Sequence, residues 1–239
     1  MNKIYQTMNE LCIAGANLFV EESQKAILAK GRFSVALSGG ATPRRLFQEI
    51  AKKEWHEKLE WDKIFIFWGD ERFVPAEDEQ SNQKMARESL LQYVPIPKKN
   101  IFPIPFAETV EQSAEQYEET LKQFFAEEWP EIDLVLLGMG LDGHTASLFP
   151  GSNALKEEKR WVVPSKTRAL GPERITLTFP VLNHAALVCF VVTGKEKSEM
   201  VKRILQPAAD ELIYPAQGIQ PQTGRLIWLL DESAAQFIS

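Results

Sequence analysis

The sequence predicts an α/β fold in which a mostly parallel sheet is covered by helices on both faces. Short apolar runs alternate along the chain with segments whose apolar residues recur at helical intervals. This alternation favours a parallel sheet over a β-sandwich or a helical bundle. A chain of 239 residues with 44% hydrophobic content can bury a substantial core, and we expect one α/β domain over residues 1–239.

The individual elements follow from these two periodicities. Strands are expected at the apolar runs near residues 33–38, 63–68, 132–137, 174–178, 186–193 and 225–230. Helices are expected near residues 4–29, 43–54, 80–92, 110–128, 195–205 and 231–236. Repeated prolines predict a loop over residues 94–106, and a polar stretch predicts another over 206–224.

Composition and charge exclude several classes of protein. The N-terminal segment has scattered acids and helical spacing, and it lacks the basic and continuously apolar regions of a signal peptide. No run approaches the roughly 18 apolar residues of a membrane span. The formal net charge of -6 argues against nucleic acid as a principal partner. We therefore expect a cytoplasmic protein without a membrane or nucleic-acid partner.

The cysteines and histidines predict neither a disulfide nor a metal site. Cys12 and Cys189 form no recognisable framework and are expected to be buried, reduced thiols. No two of the three histidines have metal-ligand spacing, so no metal and no cofactor is predicted. His56 and His184 have no polar motif beside them and are expected to be structural or exposed.

The segment over residues 132–151, IDLVLLGMGLDGHTASLFPG, is the main candidate for chemistry. Gly138, Gly140 and Gly143 permit a tight loop at the carboxyl end of a strand, where open α/β sheets bind ligands. Asp142 and His144 lie on this loop. Because imidazole in general titrates near neutrality, a histidine in this setting suits general acid or base catalysis better than a purely structural role.

The same glycines also match the G-x-G-x-x-G pattern of dinucleotide-binding folds, which is weak evidence alone. Three features argue against that function. The match lies past the middle of the chain, Pro150 and Gly151 prevent a long helix directly after the last glycine, and residues 160–164 offer no acid for a ribose.

A second glycine loop, SGGATP over residues 38–43, follows the first predicted buried strand. Its backbone N–H groups at a helix start would attract a phosphate, with Thr42 capping the helix and Pro43 in the first turn. The alternative is an ordinary capped turn. Arg174 and Lys197 also lie at strand ends and would suit a phosphate dianion, although each alone is more simply explained as a solvated surface cation, as are Lys195, Lys202 and Arg203.

A charged cluster, Gly69-Asp70-Glu71-Arg72, follows the strand at residues 63–68. Arg72 would polarise a carbonyl or orient an anionic group, while Asp70 or Glu71 would bind hydroxyls or hold that arginine. The alternative is a charged loop with internal ion pairs.

Five motifs occur in the order SGGATP, WGDERFVP with a following SN, DLVLLGMGLDGHTASLFPG, RITLTFPVLN and VTGKEK. In this order they resemble the 6-phosphogluconolactonase family over nearly the whole chain. The resemblance implies a Rossmann-like α/β fold shared with phosphosugar isomerases and deaminases. It also implies hydrolysis of 6-phospho-D-glucono-1,5-lactone to 6-phosphogluconate in the oxidative pentose phosphate pathway.

The resemblance further implies a set of site residues. The 6-phosphate would be bound by Ser38, Gly39, Gly40, Thr42, Arg174 and Lys197. His144 would deprotonate the attacking water, with Asp142 orienting the imidazole or binding hydroxyls. Arg72 and backbone N–H groups would stabilise the oxyanion, and Asp70 would contact substrate. The expected partner is a phosphorylated sugar lactone.

Two other functions remain open at this point. A glucosamine-6-phosphate deaminase or isomerase would use a similar phosphate site, but its loop carries a glutamate where this chain has Phe149. A non-catalytic phosphosugar sensor would not need the pair Asp142 and His144. The sequence does not determine the oligomeric state; a monomer is expected, with a dimer as the alternative.

Overall fold

The computed structural model describes residues 1–126, 129–166, 171–206 and 211–238. Its strands are β1 (Asn2–Tyr5), β2 (Phe33–Leu37), β3 (Ile64–Trp68), β4 (Asp70–Arg72), β5 (Leu134–Leu137), β6 (Val162–Ser165), β7 (Arg174–Leu177), β8 (Leu187–Val192) and β9 (Arg225–Asp231). Its helices are α1 (Met8–Lys30), α2 (Ala41–Ile50), α3 (Lys53–His56), α4 (Asn82–Ser89), α5 (Val110–Phe125), α6 (Phe179–Asn183) and α7 (Ser198–Leu205).

A six-stranded sheet with the order β1-β9-β8-β5-β2-β3 forms the centre of the fold, and its strand pairs are parallel. Every residue of β2, β5 and β8 is buried, which explains why these strands are almost purely apolar. The chain passes from β2 to β3 on one side and returns to β5 on the other. The winding therefore reverses between β2 and β5, and their carboxyl ends flank the crevice where such sheets bind ligands. This architecture confirms the predicted fold class.

A smaller antiparallel sheet with the order β4-β7-β6 lies after the end of β3. Its register pairs Arg72 with Arg174 and Asp70 with Thr176. The strand predicted at 174–178 is present, but it belongs to this second sheet. β4 and β6 were not predicted, because strands of three and four residues are too short to show a periodicity.

Several helix predictions need correction in their bounds, and the one at 80–92 covers only Asn82–Ser89. The first helix starts at Met8 and not at residue 4, because Thr7 and Glu10 form a capping box and residues 2–5 pair with β9. The helix predicted at 43–54 is divided into α2 and α3. The segment predicted as helical at 195–205 begins with a 3-10 turn over Lys195–Lys197 before α7.

The helix predicted at 231–236 is wrong, since turns follow β9. The Asp231 carboxylate accepts hydrogen bonds from the N–H groups of Ala234 at 2.8 Å and Gly194 at 3.1 Å, and so closes a tight turn against the end of β8. Residues 127–128 of the helix predicted at 110–128, and residues 207–210 of the loop predicted at 206–224, lie outside the described residues.

The described part of the chain contains no helix with the length and apolar content needed to cross a membrane. Cys12 and Cys189 are both free and buried, as predicted. Burial raises the pKa of the Cys12 thiol to about 11 and that of Cys189 to about 12. Both cysteines therefore behave as small core residues.

Candidate active site

A cavity of about 620 Å³ opens at the carboxyl ends of the central strands, between the larger sheet and the antiparallel sheet. Nine of the ten predicted site residues line it: Ser38, Gly39, Gly40, Thr42, Asp70, Arg72, His144, Arg174 and Lys197. The tenth, Asp142, contacts the His144 side chain. Lining residues that the sequence did not single out for a role include Asn82, Thr193 and Glu196.

Asp142 and His144 form a hydrogen-bonded pair at the edge of this cavity. Oδ1 of Asp142 lies 2.5 Å from Nδ1 of His144 and also accepts the His144 backbone N–H at 3.1 Å. When the Nδ1–H group donates to the carboxylate, Nε2 carries the free lone pair. The geometry therefore provides a proton acceptor whose orientation is fixed by its partner.

The charge of Asp142 is suited to this contact. Partial burial raises the pKa of the carboxyl, but the hydrogen bonds and attraction from His144 outweigh burial and hold the pKa below its ordinary value. The carboxylate is consequently ionised at neutral pH and would stabilise an imidazolium beside it.

Gly140 makes room for this pair. A Cβ atom built at Gly140 would lie 2.0 Å from Nδ1 of His144 and 2.6 Å from Oδ1 of Asp142. The backbone N–H of Gly140 also donates to the His144 carbonyl at 2.8 Å. The glycine predicted from the motif is therefore needed for close approach, and the loop is fixed by its own backbone.

The rest of the loop is held from both sides. Thr145 Oγ1 donates to the Gly138 carbonyl at 2.8 Å, and the N–H of Ala216 donates to the Gly143 carbonyl at 2.9 Å. Ala146, which lines the cavity, has a positive φ of 47°. A non-glycine residue in this region is strained, and such strain persists where the surrounding contacts fix the backbone.

The loop at the end of β2 has the geometry of an anion site. Gly40 is the N-cap of α2 with φ 108°, and no side chain caps this helix. The prediction that Thr42 caps α2 is wrong, because its hydroxyl lies 2.8 Å from Thr193 Oγ1 instead. The N–H groups of the first turn, those of Ala41 and Thr42 since Pro43 has none, therefore have no capping side chain, and the buried Ser38 Oγ has no protein partner within the described residues.

Two arginines face each other across β4 and β7. Arg72 and Arg174 are register partners, both line the cavity, and Arg72 Nη1 donates to the Gln80 carbonyl. Burial lowers the pKa of Arg174, and the positive charge of Arg72 lowers it further. Nε of Arg174 is buried without a partner in the described ranges. Two adjacent cations with an unused donor indicate a site for an anion.

Lys197 provides a third cation on the β8 side of the cavity. Its Nζ donates to the Met139 carbonyl at 2.5 Å. Burial lowers the pKa of Lys197, while Glu196 and Asp142 oppose that change. The neighbouring Lys195, Lys202 and Arg203 are exposed, as expected for solvated surface cations.

The acids of the cluster at residues 70–72 have different surroundings. Asp70 lines the cavity and its Oδ2 accepts a hydrogen bond from Ser147 Oγ at 2.6 Å. Glu71 is buried and instead accepts hydrogen bonds at the start of α4, from the N–H groups of Asn82 and Gln83 and from Ser81 Oγ. Hydroxyl binding, which the sequence left open for either acid, fits Asp70 alone.

Across the described ranges, His, Cys, Asp and Glu form no group of three or more that could hold a metal ion. A reaction without a metal stays a prediction.

The chain was compared with known proteins. A family model described as "Glucosamine-6-phosphate isomerases/6-phosphogluconolactonase" matches residues 6–228. A 6-phosphogluconolactonase of Nostoc sp. is 44% identical over 227 residues, which cover 93% of this chain and 92% of that relative. The corresponding protein of Synechocystis sp. is 45% identical over 216 residues, with 89% and 87% covered.

The same resemblance is found in three dimensions. The structure of 6-phosphogluconolactonase from Trypanosoma cruzi superposes with a TM-score of 0.89 at 30% identity, covering 100% of this chain and 96% of that one. The family match covers most of the chain, and two relatives exceed 40% identity over nearly their full length. The chain therefore belongs to the glucosamine-6-phosphate isomerase/6-phosphogluconolactonase family.

Proposed function

We propose that this protein hydrolyses 6-phospho-D-glucono-1,5-lactone to 6-phospho-D-gluconate, the lactone-opening step of the oxidative pentose phosphate pathway. Its relatives at 44% and 45% identity are named 6-phosphogluconolactonases. The observation that carries the proposal is the presence of an oriented His144–Asp142 pair and a cluster of three cations in one cavity. Hydrolysis of a phosphorylated ester needs a base to activate water, and binding of its phosphate needs positive charge.

The phosphate would bind at the end of β2. The uncapped N-terminus of α2 offers backbone N–H groups, and Ser38 Oγ is a hydroxyl donor without a protein partner in the described residues. Arg174 and Lys197 line the same cavity and would neutralise the dianion. Thr42, fixed by Thr193, would shape this end of the site.

His144 would act as the general base and then as the general acid. Its Nε2 takes a proton from water while the water oxygen bonds to the lactone carbonyl carbon, and the carbonyl oxygen becomes an oxyanion. When the intermediate collapses, the bond to the ring oxygen breaks and His144 returns the proton to that oxygen. The products are a carboxylic acid, which ionises, and a free hydroxyl.

Asp142 and Arg72 would support this chemistry in different ways. Asp142 keeps the Nδ1–H tautomer and stabilises the imidazolium during the step. Arg72 lines the cavity and would stabilise the oxyanion together with backbone N–H groups. Asp70, whose second carboxylate oxygen Oδ2 is bound by Ser147, would accept a sugar hydroxyl through Oδ1.

Deaminase or isomerase chemistry would lack a partner in this site. Phe149 lines the cavity, and its ring centroid lies 4.7 Å from that of His144. An aromatic ring beside the imidazole cannot transfer a proton, so enolisation of an amino sugar would lack the carboxylate found in that branch of the family. A sensor function would leave the His144–Asp142 pair without a use.

The experiment compares three compounds with the purified protein. We expect acceleration of acid release from 6-phospho-D-glucono-1,5-lactone above its spontaneous rate, much weaker acceleration with unphosphorylated glucono-1,5-lactone, and no ammonia from glucosamine 6-phosphate. Ammonia release without lactone hydrolysis would replace the proposal with the deaminase function. Failure of the folded protein to act on any of the three would support the sensor. A monomeric state and a cytoplasmic location remain predictions.

A further inference from the structure

We infer that Asn82 is a positioning residue for the phosphate loop, fixing the backbone at Gly39 and thereby setting the affinity for the substrate phosphate. The inference rests on the proposed function only in assigning the phosphate to the loop at residues 38–42. It adds a residue of α4, remote in sequence, to the determinants of substrate binding.

The Asn82 amide is held in one orientation. Its backbone N–H donates to Glu71 Oε1 at 2.7 Å, and its Nδ2 donates to the Asp70 carbonyl at 2.9 Å. The residue is 1% exposed. Rotation of the amide by half a turn would place Oδ1 against the Asp70 carbonyl oxygen, so the hydrogen bond to Asp70 determines where Oδ1 lies.

Oδ1 of Asn82 occupies the space where another residue type at position 39 would have its side chain. A Cβ atom built at Gly39 would lie 1.9 Å from Asn82 Oδ1 and 2.5 Å from Cγ. Gly39 does not have a positive φ, so its backbone conformation does not demand glycine. The requirement for glycine here is contact with Asn82.

Asn82 Oδ1 is buried and has no hydrogen-bond partner within the described residues. Leaving a buried acceptor unpaired is costly, and this atom lies against the Gly39 backbone at the wall of the cavity. Ser38 Oγ, the adjacent residue's hydroxyl, is unpaired in the same way. Of these two groups only the Ser38 hydroxyl can donate to a phosphate, so Asn82 Oδ1 acts on the loop through its contact with Gly39 and not on the phosphate itself.

Asn82 therefore connects three parts of the site. Glu71 fixes the start of α4, Asn82 at that start bonds to the Asp70 carbonyl, and its amide contacts the loop at Gly39. Loss of the amide would leave a gap behind Gly39 and let the loop move. Since His144 lies on a different loop, the effect should fall on phosphate binding and spare the chemical step.

The test measures binding of inorganic phosphate and of 6-phosphogluconate by calorimetry, together with kcat and KM for the lactone. For Asn82→Ala we expect both dissociation constants and KM to rise about tenfold, the factor for one buried hydrogen bond, with kcat within about twofold of wild type. Asn100→Ala is the matched control. Asn100 is equally buried, but its Nδ2 bonds to Asp62 and Ile64 carbonyls at the opposite end of β3, so that variant should lose stability and keep its KM.

A double-mutant cycle tests the contact itself. Gly39→Ala should weaken phosphate binding by about tenfold or more, because the new methyl displaces the Asn82 amide. Gly39→Ala combined with Asn82→Ala should bind phosphate more tightly than Gly39→Ala alone, since the obstacle is gone. Strictly additive effects would overturn the inference, as would an Asn82→Ala variant that binds phosphate like wild type or one that loses kcat with KM unchanged.

The binding measurements test the role of Asn82 separately from the proposed function, because they do not require lactone hydrolysis. If the wild type binds phosphate with the expected dependence on Asn82 but does not hydrolyse the lactone, the proposed function fails and the role of Asn82 stands. If the lactone is hydrolysed and the cycle shows no coupling, the role of Asn82 fails alone.

Discussion

Nδ1 of His144 lies 2.5 Å from Oδ1 of Asp142, and both residues belong to one glycine-rich loop at the carboxyl end of β5. The acid is only two residues from the histidine and still accepts both its backbone N–H and its ring N–H. Because the orientation of the His144 base depends on this one contact, substitutions that disturb the contact should lower kcat.

Asp142→Asn should lower kcat for the lactone by about tenfold or more, with little change in KM. An amide N–H facing the ring would favour the tautomer that carries its proton on Nε2. In that tautomer Nε2 has no lone pair with which to take a proton from water. Steady-state kinetics on fresh lactone measure the effect. A variant with wild-type kcat would show that Asp142 does not orient the base.

Gly140→Ala should reduce kcat by a similar factor without unfolding the protein. The added methyl would overlap both side chains of the pair, while the backbone of Gly140 does not have a positive φ. Gly69→Ala is the matched control, since its Cβ would meet the Leu37 carbonyl oxygen at an ordinary 3.6 Å and Gly69 lies outside the cavity lining. Equal losses of kcat in both variants would contradict the steric explanation.

Lys197 gives the phosphate site a predicted pH dependence. Because burial lowers the pKa of Lys197, its ammonium loses the proton at a lower pH than an ordinary lysine, and affinity for 6-phosphogluconate should fall as pH rises through that pKa. Lys197→Arg should retain its affinity over the same alkaline range, since a guanidinium stays protonated. Calorimetric titrations, each normalised to neutral pH, make the comparison. If the affinities of wild type and Lys197→Arg fall in parallel as the pH rises, Lys197 does not bind the phosphate.

Glu71→Gln should reduce the free energy of unfolding by about 1–3 kcal/mol, because an amide cannot accept all the hydrogen bonds that meet this carboxylate. Burial raises the pKa of Glu71, and the N–H groups of Asn82, Gln83 and Arg72 act against that rise. Chemical denaturation measures the change, with the exposed Glu115→Gln on α5 as the control for loss of charge. A more stable Glu71→Gln variant would show that the cost of burial outweighs the hydrogen bonds.

Much of this site could be predicted from the sequence because its chemistry is concentrated in contiguous motifs. The strand at residues 134–137 and the loop bearing Asp142 and His144 are contiguous in the sequence, so one motif predicts both. The parallel topology then brings the carboxyl ends of the other strands to the same edge of the sheet. Thr42, Glu71 and Asn82 could not be assigned in this way. Their contacts, to Thr193, to the start of α4 and to Gly39, join segments that are distant in the chain or lie on strands too short to recognise.

The most direct test compares acid release from freshly generated 6-phospho-D-glucono-1,5-lactone by wild type and His144→Ala, with the spontaneous rate subtracted. Wild type should accelerate the release, and His144→Ala should lower kcat by about 10²- to 10⁴-fold while its affinity for 6-phosphogluconate stays close to that of wild type. Turnover by His144→Ala at the wild-type rate would contradict the mechanism, and a wild-type protein without activity would contradict the proposed function.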